Sequence, residues 1–414
     1  MIKRLLVIIL VCITTVTSAQ EATSSPYSFF GVGSTNFRGT VENRSMGGIS
    51  MYSDSIHLNL QNPSGYAHLK LVAFSVGGAH KYVTQETTQE KGTASSTSIN
   101  YLALGVPLGE KFGAGFGIIP ITSVGYNLEN QSGENIVQNT GQGGMNKVFL
   151  SLGYLISDHL SVGIDANYNF GNIENNSLLF SPDVEFATKE TNRSDLSGFS
   201  LNFGATYRRL ITEKLEMFSS ITYTPETNLD SENSRRFASV FVPNLDFQIE
   251  VDPRDVDVED SKLTLPTQYS LGFGIGEPRR WFVGGEYTLQ ETSNFTNRAF
   301  TLDNVSFTNS SKYKLGGFYV PRHNALSGYF KKITYRAGVR YENTGLVIND
   351  EKINEFGISF GVGMPVGRLF SNVNIGFEYG NRGTTNNGLV KETFFNTIIS
   401  LSLNDRWFIK TLYD

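Results

Sequence analysis

The sequence predicts an all-β protein: a transmembrane antiparallel β-barrel of about 14 strands whose lumen is plugged by an N-terminal hatch. Apolar and polar residues alternate along most of the chain after residue 70, and short charged turns alternate with long polar connections. The composition agrees, with 42 Gly, 30 Phe and 19 Tyr but only 18% charged residues. No mature segment approaches the roughly 18 consecutive apolar residues of a membrane helix, so any span must be a closed barrel.

The N-terminus has the pattern of a secretory signal peptide over residues 1–19. A basic tetrapeptide is followed by the apolar run 5–16 and by small residues at 17–19, which predicts Sec export and cleavage. Cys12 is the only cysteine and lies inside this segment, so the mature chain is expected to have no disulfide and no cysteine metal site. The net charge of −5 argues against nucleic acid as a partner.

Alternation is clearest at 160–171, where the even-numbered residues are apolar and end in Tyr168 and Phe170, while the odd-numbered residues are small or polar. Segments 353–364 and 372–382 alternate in the same way. An apolar face that ends in aromatic residues is typical of a lipid belt bounded by interfacial girdles, with the polar face turned to a lumen. A soluble β-sandwich also alternates and is the alternative.

The connections predict fourteen strands, joined by six short turns and seven long loops, so that both ends of the barrel are periplasmic. The predicted strands are 70–82, 96–107, 112–126, 144–156, 159–172, 196–210, 215–228, 262–276, 280–294, 311–320, 332–342, 353–364, 372–382 and 392–403. The predicted loops are 83–95, 127–143, 173–195, 229–261, 295–310, 343–352 and 383–391. Residues 404–414 are expected to form a periplasmic tail.

A barrel of this size is too wide to be filled by the side chains of its wall. Residues 20–69 show no sustained alternation and stand directly before the first strand, so they are the expected plug. The barrel itself is predicted to span residues 70–403.

The plug segment contains three short motifs in a fixed order: PYSFFGVG at 26–33, SMGG at 45–48 and NPSGYA at 62–67. This order resembles the N-terminal hatch of FadL-type outer-membrane transporters of long-chain fatty acids and other hydrophobic compounds. The matching hatch positions are Gly31, Gly33, Gly47, Gly48, Asn62 and Pro63. The closing block from YRAGVRYENTGL to WFIK looks like a branch of the family common in Bacteroidetes-type bacteria.

The resemblance implies the outer membrane of a Gram-negative bacterium, where lipopolysaccharide blocks the free diffusion of hydrophobic molecules. It implies passive capture of a hydrophobic small molecule, binding in the lumen and lateral release into outer-membrane lipid. Neither a cofactor nor a metal is implied. The alternative is a FadL-like barrel that does not transport but serves as a subunit of an envelope secretion or outer-membrane assembly complex, with protein partners.

The third predicted strand carries Pro120 in its middle, and it is rich in glycine at positions that include Gly117 and Gly125. Proline removes one ladder hydrogen bond, and glycine weakens a strand. In the family a kink in this strand opens the wall laterally, so the resemblance implies that these three residues form a lateral gate. The alternative is an ordinary β-bulge that adjusts curvature.

Charged residues recur in the lumen phase of several predicted strands, on the face opposite to the apolar residues. They are Lys332, Arg336, Arg340, Glu342, Glu378, Arg382, Asp165, Arg208 and Glu286. One expectation is that they pair with one another and with the hatch, because unpartnered buried charges are costly. The other is that Arg336 or Arg340 binds the carboxylate of an amphipathic ligand. Phe29, Phe30 and Phe37 would then line its apolar part, or would simply pack the plug.

No enzyme motif is present, and the five histidines are scattered at positions 57, 68, 80, 159 and 323. A barrel lipase would need unseen geometry, so the protein is not expected to be an enzyme. The acidic segment 252–260 is expected to be a solvated outer loop. A calcium site is the alternative, although the glycine that sharpens an EF-hand loop is missing.

Overall fold

The computed structural model describes residues 23–244, 247–294, 304–322, 327–367 and 371–407. Fourteen antiparallel strands form the wall in chain order, which confirms the predicted fold class. The last strand pairs with the first, from Lys391 opposite Glu86 to Asp405 opposite Val72, and so closes the barrel. The predicted signal peptide lies outside the described residues.

The wall strands have the following bounds. They are β1 (Val72–Glu86), β2 (Lys91–Pro107), β3 (Phe112–Ser132), β4 (Asn135–Leu155), β5 (Leu160–Phe180), β6 (Ala187–Leu210), β7 (Glu216–Thr224 and Thr227–Asn244), β8 (Phe247–Val256, Ser261–Leu265 and Gln268–Glu277), β9 (Trp281–Gln290), β10 (Ser310–Tyr319), β11 (Thr334–Ile348), β12 (Glu351–Pro365), β13 (Asn372–Arg382) and β14 (Lys391–Asp405). Three-residue strand Val305–Phe307 pairs with the end of β11. Short 3-10 helices lie at Thr292–Asn294, Tyr329–Lys331 and Asn386–Gly388.

Several predicted loops are wrong, because they are strands that continue past the apolar belt. Predicted loop 127–143 is a hairpin in which Ser132 stands opposite Asn135, and predicted loop 173–195 is mostly β5 paired with β6. The alternation signal marks only the part of a strand with a buried or lipid-facing apolar face. Backbone pairing itself does not need apolar side chains, so strands rich in Asn, Ser and Thr continue into water without that signal.

The acidic segment 252–260 is likewise not wholly a loop, since β8 includes its residues up to Val256. Asp255 pairs there with Arg236 of β7 at 2.7 Å. Within the described ranges no cluster of three or more acidic, His or Cys side chains is arranged to hold a metal ion. At the C-terminus β14 ends at Asp405, two positions later than predicted, while Phe408 of the predicted tail lies outside the described residues.

The two faces of the wall follow the predicted alternation. On β5, Asp165, Asn167 and Asn169 are at most 3% exposed, while Ile164 and Tyr168 on the opposite face are 37% and 42% exposed. Lys332 is an exception to the predicted charged row, because it ends the Tyr329–Lys331 helix in a turn before β11 begins. No helix of the described chain is long and apolar enough to cross a membrane.

Residues 23–71 form the hatch, which fills the bore. Its elements are a 3-10 helix at Pro26–Phe29, a two-residue strand at Ser34–Thr35, helix α1 at Val41–Arg44 and a 3-10 helix at Pro63–His68. Leu58, Leu60 and Tyr66 of the hatch pack against Tyr101 and Phe149 of the wall in one buried cluster. Apolar contact with the wall therefore holds the plug in place.

Glycines in the wall let the hatch approach closely. A Cβ at Gly163 of β5 would lie 2.4 Å from the carbonyl carbon of Pro63. Asn62 caps the adjacent 3-10 helix, since its Oδ1 accepts a hydrogen bond from the N–H of Ser64 at 3.1 Å. Asn62 and Pro63 thus lie at one of the places where the plug touches the wall backbone.

Candidate functional site: a gap in the wall and the cavity behind it

The wall is interrupted between β2 and β3. Their pairing runs only from Pro107 opposite Gly113 to Leu102 opposite Ile118, although both strands continue far beyond. Towards the end of the barrel that carries the long connections, the facing edges of β2 and β3 are not paired with each other. The unpaired stretch lies beside the strand in which the resemblance implies a lateral opening.

Both strands bend at the point where their pairing ends. In β3, Ile121 is an extra residue between Pro120, opposite Asn146, and Thr122, opposite Met145. In β2, Asn100 is an extra residue, because Tyr101 and Ile99 stand opposite the consecutive Gly77 and Gly78. A bulge increases local bend and twist, and Pro120 offers no N–H to a partner strand. The structure therefore contains both the β-bulge that was the alternative interpretation of Pro120 and a loss of pairing between β2 and β3.

The three predicted gate residues occupy different places around the gap. Pro120 is at the bend itself. Gly117 is still in the paired wall opposite Ala103, where a Cβ would lie 2.3 Å from the carbonyl oxygen of Leu102. Gly125 lies beyond the bend and bonds to the hatch, since its N–H donates to Ser28 Oγ at 3.1 Å. Their role as a gate remains a prediction.

The hatch adds a short strand to the free edge of β3. Ser34 and Thr35 pair with Ser123 and Thr122 of β3. The N–H of the following residue, Asn36, donates to the carbonyl of Ile121 at 3.0 Å. The edge that β2 leaves open is thus partly covered by a segment held by only a few backbone hydrogen bonds.

A cavity of about 910 Å³ connects this gap with the bore. It is lined by hatch residues 30–38, by the gap edges at 96–100 of β2 and 120–123 of β3, and by lumen-facing side chains of the wall. Of the five predicted ligand-binding residues, Phe30, Phe37 and Arg340 line it, whereas Phe29 and Arg336 are outside its lining. Phe29 instead packs edge-on against Tyr126, with ring centroids 5.1 Å apart.

The predicted pairing of lumen charges is confirmed by a network between hatch and wall. The Glu378 carboxylate forms two ion pairs, one with Arg44 of the hatch and one with Arg340 of β11, each at 2.7 Å. Arg340 also pairs with Glu355, which in turn lies 3.7 Å from Arg382. Since Arg340 already has these partners, a ligand carboxylate would have to compete with them.

Arg336, the other predicted ligand residue, is engaged by a neutral partner. It is 8% exposed, and its Nη1 donates to Oδ1 of Asn374 at 3.1 Å.

A second group of polar contacts between hatch and wall lies on β9. Glu286 accepts a hydrogen bond from the N–H of Ser50 in the hatch at 2.6 Å and forms an ion pair with Lys314 at 2.7 Å. These contacts fix the hatch from two sides of the bore.

A third hatch contact lies at the end of the bore that carries the short turns. Asp54 Oδ2 and His57 Nδ1 are 2.6 Å apart, and Asn372 Nδ2 of β13 lies 3.5 Å from the other ring nitrogen. Burial alone would raise the pKa of Asp54, but His57 and two backbone N–H groups outweigh it and lower that pKa to about 2. Burial alone would lower the pKa of His57, but Asp54 raises it above its usual value.

Six cations in the cavity lining were not identified from the sequence, namely Arg38, Arg44, Lys81, Lys147, Lys312 and Lys314. Arg38 belongs to the hatch, and Lys147 lies on β4 in the same lumen phase as Phe149 and Ser151. The period-two signal that identified the other lumen charges also applies to Lys147. Arg38 carries no such signal, because the hatch has no regular period.

Solved structures of transport proteins share this fold at low sequence identity. The Ralstonia pickettii toluene transporter TbuX is 16% identical with a TM-score of 0.61, covering 89% of this chain and 99% of its own. The Pseudomonas aeruginosa FadL homologue is 16% identical with a TM-score of 0.55, covering 90% and 98%. The Pseudomonas putida toluene transporter TodX is 14% identical with a TM-score of 0.57, covering 88% and 97%. The fold is therefore that of the FadL-type barrels.

Sequence comparison adds one family and no individual relative. A family model described as BamG matches residues 1–414. None of the curated proteins matches this sequence significantly.

Proposed function

The chain belongs to the BamG family, and from its FadL-type fold we propose that it is an outer-membrane barrel that passes hydrophobic small molecules, such as long-chain fatty acids, into the bilayer. The single observation that carries the proposal is the gap between β2 and β3, which the 910 Å³ cavity joins to the bore. A pocket that opens both to a lumen and to the lipid side of a wall suits a molecule that prefers lipid to water.

In the proposed mechanism the end with the long connections faces outward and captures the molecule passively. The cargo then rests in the cavity between the hatch and the lumen wall. It leaves sideways when the Ser34–Thr35 segment separates from β3, which exposes the gap to lipid. The paired charges at Glu378 and Glu286 hold the rest of the hatch, so the bore towards the periplasm stays closed.

A disulfide staple tests this mechanism. The mature chain is expected to have no cysteine, so the double variant Ser34→Cys, Ser123→Cys places one cysteine pair across the hatch and β3, where these residues stand opposite each other. Uptake of radiolabelled toluene and oleate by cells that depend on this protein should fall to background under oxidation and recover with reductant. Unchanged uptake in a fully cross-linked sample would contradict lateral release.

The matched control staples a part of the wall far from the gap. Ser177 and Glu190 stand opposite each other on β5 and β6, and a disulfide between cysteines at these positions should leave uptake unchanged. Surface levels of all variants are compared by labelling of intact cells.

A second function, a non-transporting subunit of an envelope secretion or outer-membrane assembly complex, is favoured by aromatic side chains at the short-turn end. Phe330 is 75% exposed and Trp407 is 51% exposed. Exposed aromatic residues are enriched in protein interfaces. Co-purification after mild extraction tests this function, since stoichiometric partners that are lost in a Phe330→Ala, Trp407→Ala variant would support it. Uptake that is independent of the barrel would then exclude transport.

A further inference from the structure

The first half of β2 has a neighbouring strand on one side only. From Gly92 to Ile99 it pairs with β1, whereas its pairing with β3 is limited to 102–107. We call the stretch Gly92–Ile99 the β2 edge. Among the described residues, no backbone hydrogen bond links it to any segment other than β1. In an antiparallel ladder alternate residues direct their N–H and C=O groups to the same side, so about half of these backbone groups face the gap.

The opposite side of the gap is covered by the hatch. Ser34 and Thr35 pair with β3. Farther along β3, the N–H of Gly125 donates to Ser28 Oγ and its carbonyl accepts from the same hydroxyl, each at 3.1 Å. The cavity lining includes the β2 edge from residue 96 to residue 99, so open space lies beside it. The β2 edge is therefore the open side of the gap.

Another one-sided strand of this barrel is protected against further pairing. The first part of β8, Phe247–Val256, pairs among the described strands with β7 alone. It contains the charged and proline-bearing stretch EVDPRD at 250–255 and two irregularities of register. Charges, proline and bulges are the features by which natural proteins prevent an edge from pairing with a further strand. The β2 edge, with the sequence GTASSTSI, has neither a charge nor a proline.

Lipid cannot satisfy the hydrogen-bonding groups of the β2 edge. Ser95 stands opposite Tyr82, which is 47% exposed and is the last aromatic residue of the outward row of β1. Thr97, which bonds to His80 at 2.9 Å, and Ile99 follow towards the short turns. This part of the edge therefore lies within the apolar belt, where an unpaired backbone group is costly. Its partners must come from cavity water or from another polypeptide backbone.

We propose that the β2 edge is a strand-addition site, at which an extended polypeptide segment of about eight residues without proline pairs antiparallel with Gly92–Ile99. A polypeptide backbone supplies donors and acceptors at the spacing of the edge. Ser96 lines the cavity and Thr97 faces outward, so the side chains of the added strand alternate between the cavity and the outer face. The inference goes beyond the proposed function, because it assigns a polypeptide ligand to one side of the gap and requires no movement of the hatch.

A peptide with the sequence of residues 78–86, GAHKYVTQE, is the probe, because this sequence of β1 already pairs with the same stretch of β2 from its other side. Fluorescence anisotropy of the labelled peptide measures its binding to the purified full-length mature protein in dodecyl maltoside. We expect saturable binding, and at least tenfold weaker binding of an analogue with proline in place of the central tyrosine. Absence of saturable binding by the parent peptide would overturn the proposal.

Two N-methylated analogues separate strand addition from other modes of binding. One is methylated at alternate backbone nitrogens, and the other is methylated at the nitrogens in between. A strand that pairs along one edge presents only one of these two sets to β2. One analogue should therefore lose affinity at least tenfold, the effect of losing one or two backbone hydrogen bonds, while the other binds like the parent peptide. Equal affinities of the two analogues would exclude strand addition.

Disulfide capture locates the bound peptide. A peptide with cysteine in place of the central tyrosine should form a mixed disulfide with Ser95→Cys, since Tyr82 stands opposite Ser95 in the native pairing of this sequence. Ser239→Cys is the matched control, because Ser239 is also exposed but pairs with Thr188 on one side and with Asp252 on the other. Equal capture at both positions would contradict the site. Disulfide-linked dimers of Ser95→Cys that exclude the peptide would overturn the proposal by identifying a second copy of the chain as the occupant.

The hatch staple distinguishes this inference from the proposed function. The double variant Ser34→Cys, Ser123→Cys holds the hatch on β3 and leaves the β2 edge open, so the stapled protein should bind the peptide with an unchanged Kd. Loss of binding on stapling would place the peptide on the β3 side and overturn the proposal. Failure of the wild type to bind the peptide, with staple-sensitive uptake of toluene intact, would reject this inference alone.

Discussion

Arg44 of the hatch helix and Glu378 of β13 form an ion pair of 2.7 Å in which Glu378 is 2% exposed. Because Glu378 also forms an ion pair with Arg340 of β11, this one carboxylate joins the plug to two strands of the wall. The plug is therefore fixed by charge as well as by apolar packing. This explains how a barrel can keep its bore filled while a short hatch segment at the gap remains weakly bound.

Neutralising Glu378 should destabilise the folded barrel. Glu378→Gln keeps the shape of the side chain but leaves Arg44 without its charged partner in the bore, so we expect a loss of about 3 kcal/mol in the free energy of unfolding. Urea titration read by the heat-modifiable mobility of the barrel in gels measures this change. Glu250→Gln, which breaks the more exposed pair with Lys189, should cost less than about 1 kcal/mol. Equal effects in both variants would contradict a buried lock.

The Asp54–His57 contact should make hatch anchoring depend on pH. The pKa of Asp54 is lowered to about 2, so its contribution is present above its unfolded value of about 4 and is lost as pH falls through about 2. The pKa of His57 is raised, so its contribution is complete below about 6.5 and is lost as pH rises through the folded value. The anchor should therefore be strongest between about pH 4 and 6.5.

Limited proteolysis of the hatch between pH 5 and pH 9 measures this dependence. In the wild type cleavage should increase with pH across the titration of His57, and His57→Asn should remove most of that increase. A pH profile identical in wild type and His57→Asn would show that His57 does not anchor the hatch.

Replacing Gly163 by alanine should disturb the packing of the hatch against the wall. The new Cβ in Gly163→Ala would lie 2.4 Å from a backbone carbon of Pro63, so either the hatch or β5 must shift. Overpacking of this kind costs about 1–3 kcal/mol, measured by the same urea titration. Gly92→Ala is the matched control, because nothing lies within 4 Å of the added Cβ there. Comparable losses in both variants would mean that close approach is not the cause.

Replacing Pro120 should narrow the gap. Pro120→Ala restores an N–H at the bend and lets β3 continue its pairing towards Asn100 of β2, which is worth on the order of 1 kcal/mol for one ladder bond. We expect uptake of labelled oleate to fall several-fold at unchanged surface levels, while stability does not decrease. Pro107→Ala, at the intact end of the β2–β3 pairing, should transport normally. Full uptake in Pro120→Ala would argue that the proline only shapes curvature.

Much of the barrel could be predicted from the sequence because a lipid-facing wall imposes a strict period. Every predicted strand contains residues of an observed wall strand, and the lumen phase of Arg340, Glu378 and Glu286 follows from counting by two along their strands. Strand ends were predicted poorly, as in 127–143. Outside the apolar belt the backbone still pairs, but the side chains no longer have to alternate.

The sequence by itself determined the closed wall, the inward and outward faces and the segment that fills the bore, since each depends on local period or on position in the chain. Only the tertiary structure decided which charges are neutralised and which are not. Arg340 and Lys147 look alike in the sequence, yet Arg340 forms an ion pair with Glu378 from the far side of β12, whereas Lys147 forms no ion pair with a carboxylate among the described residues. Long-range pairing depends on how strands far apart in the chain are placed around the barrel, and no local pattern encodes that distance.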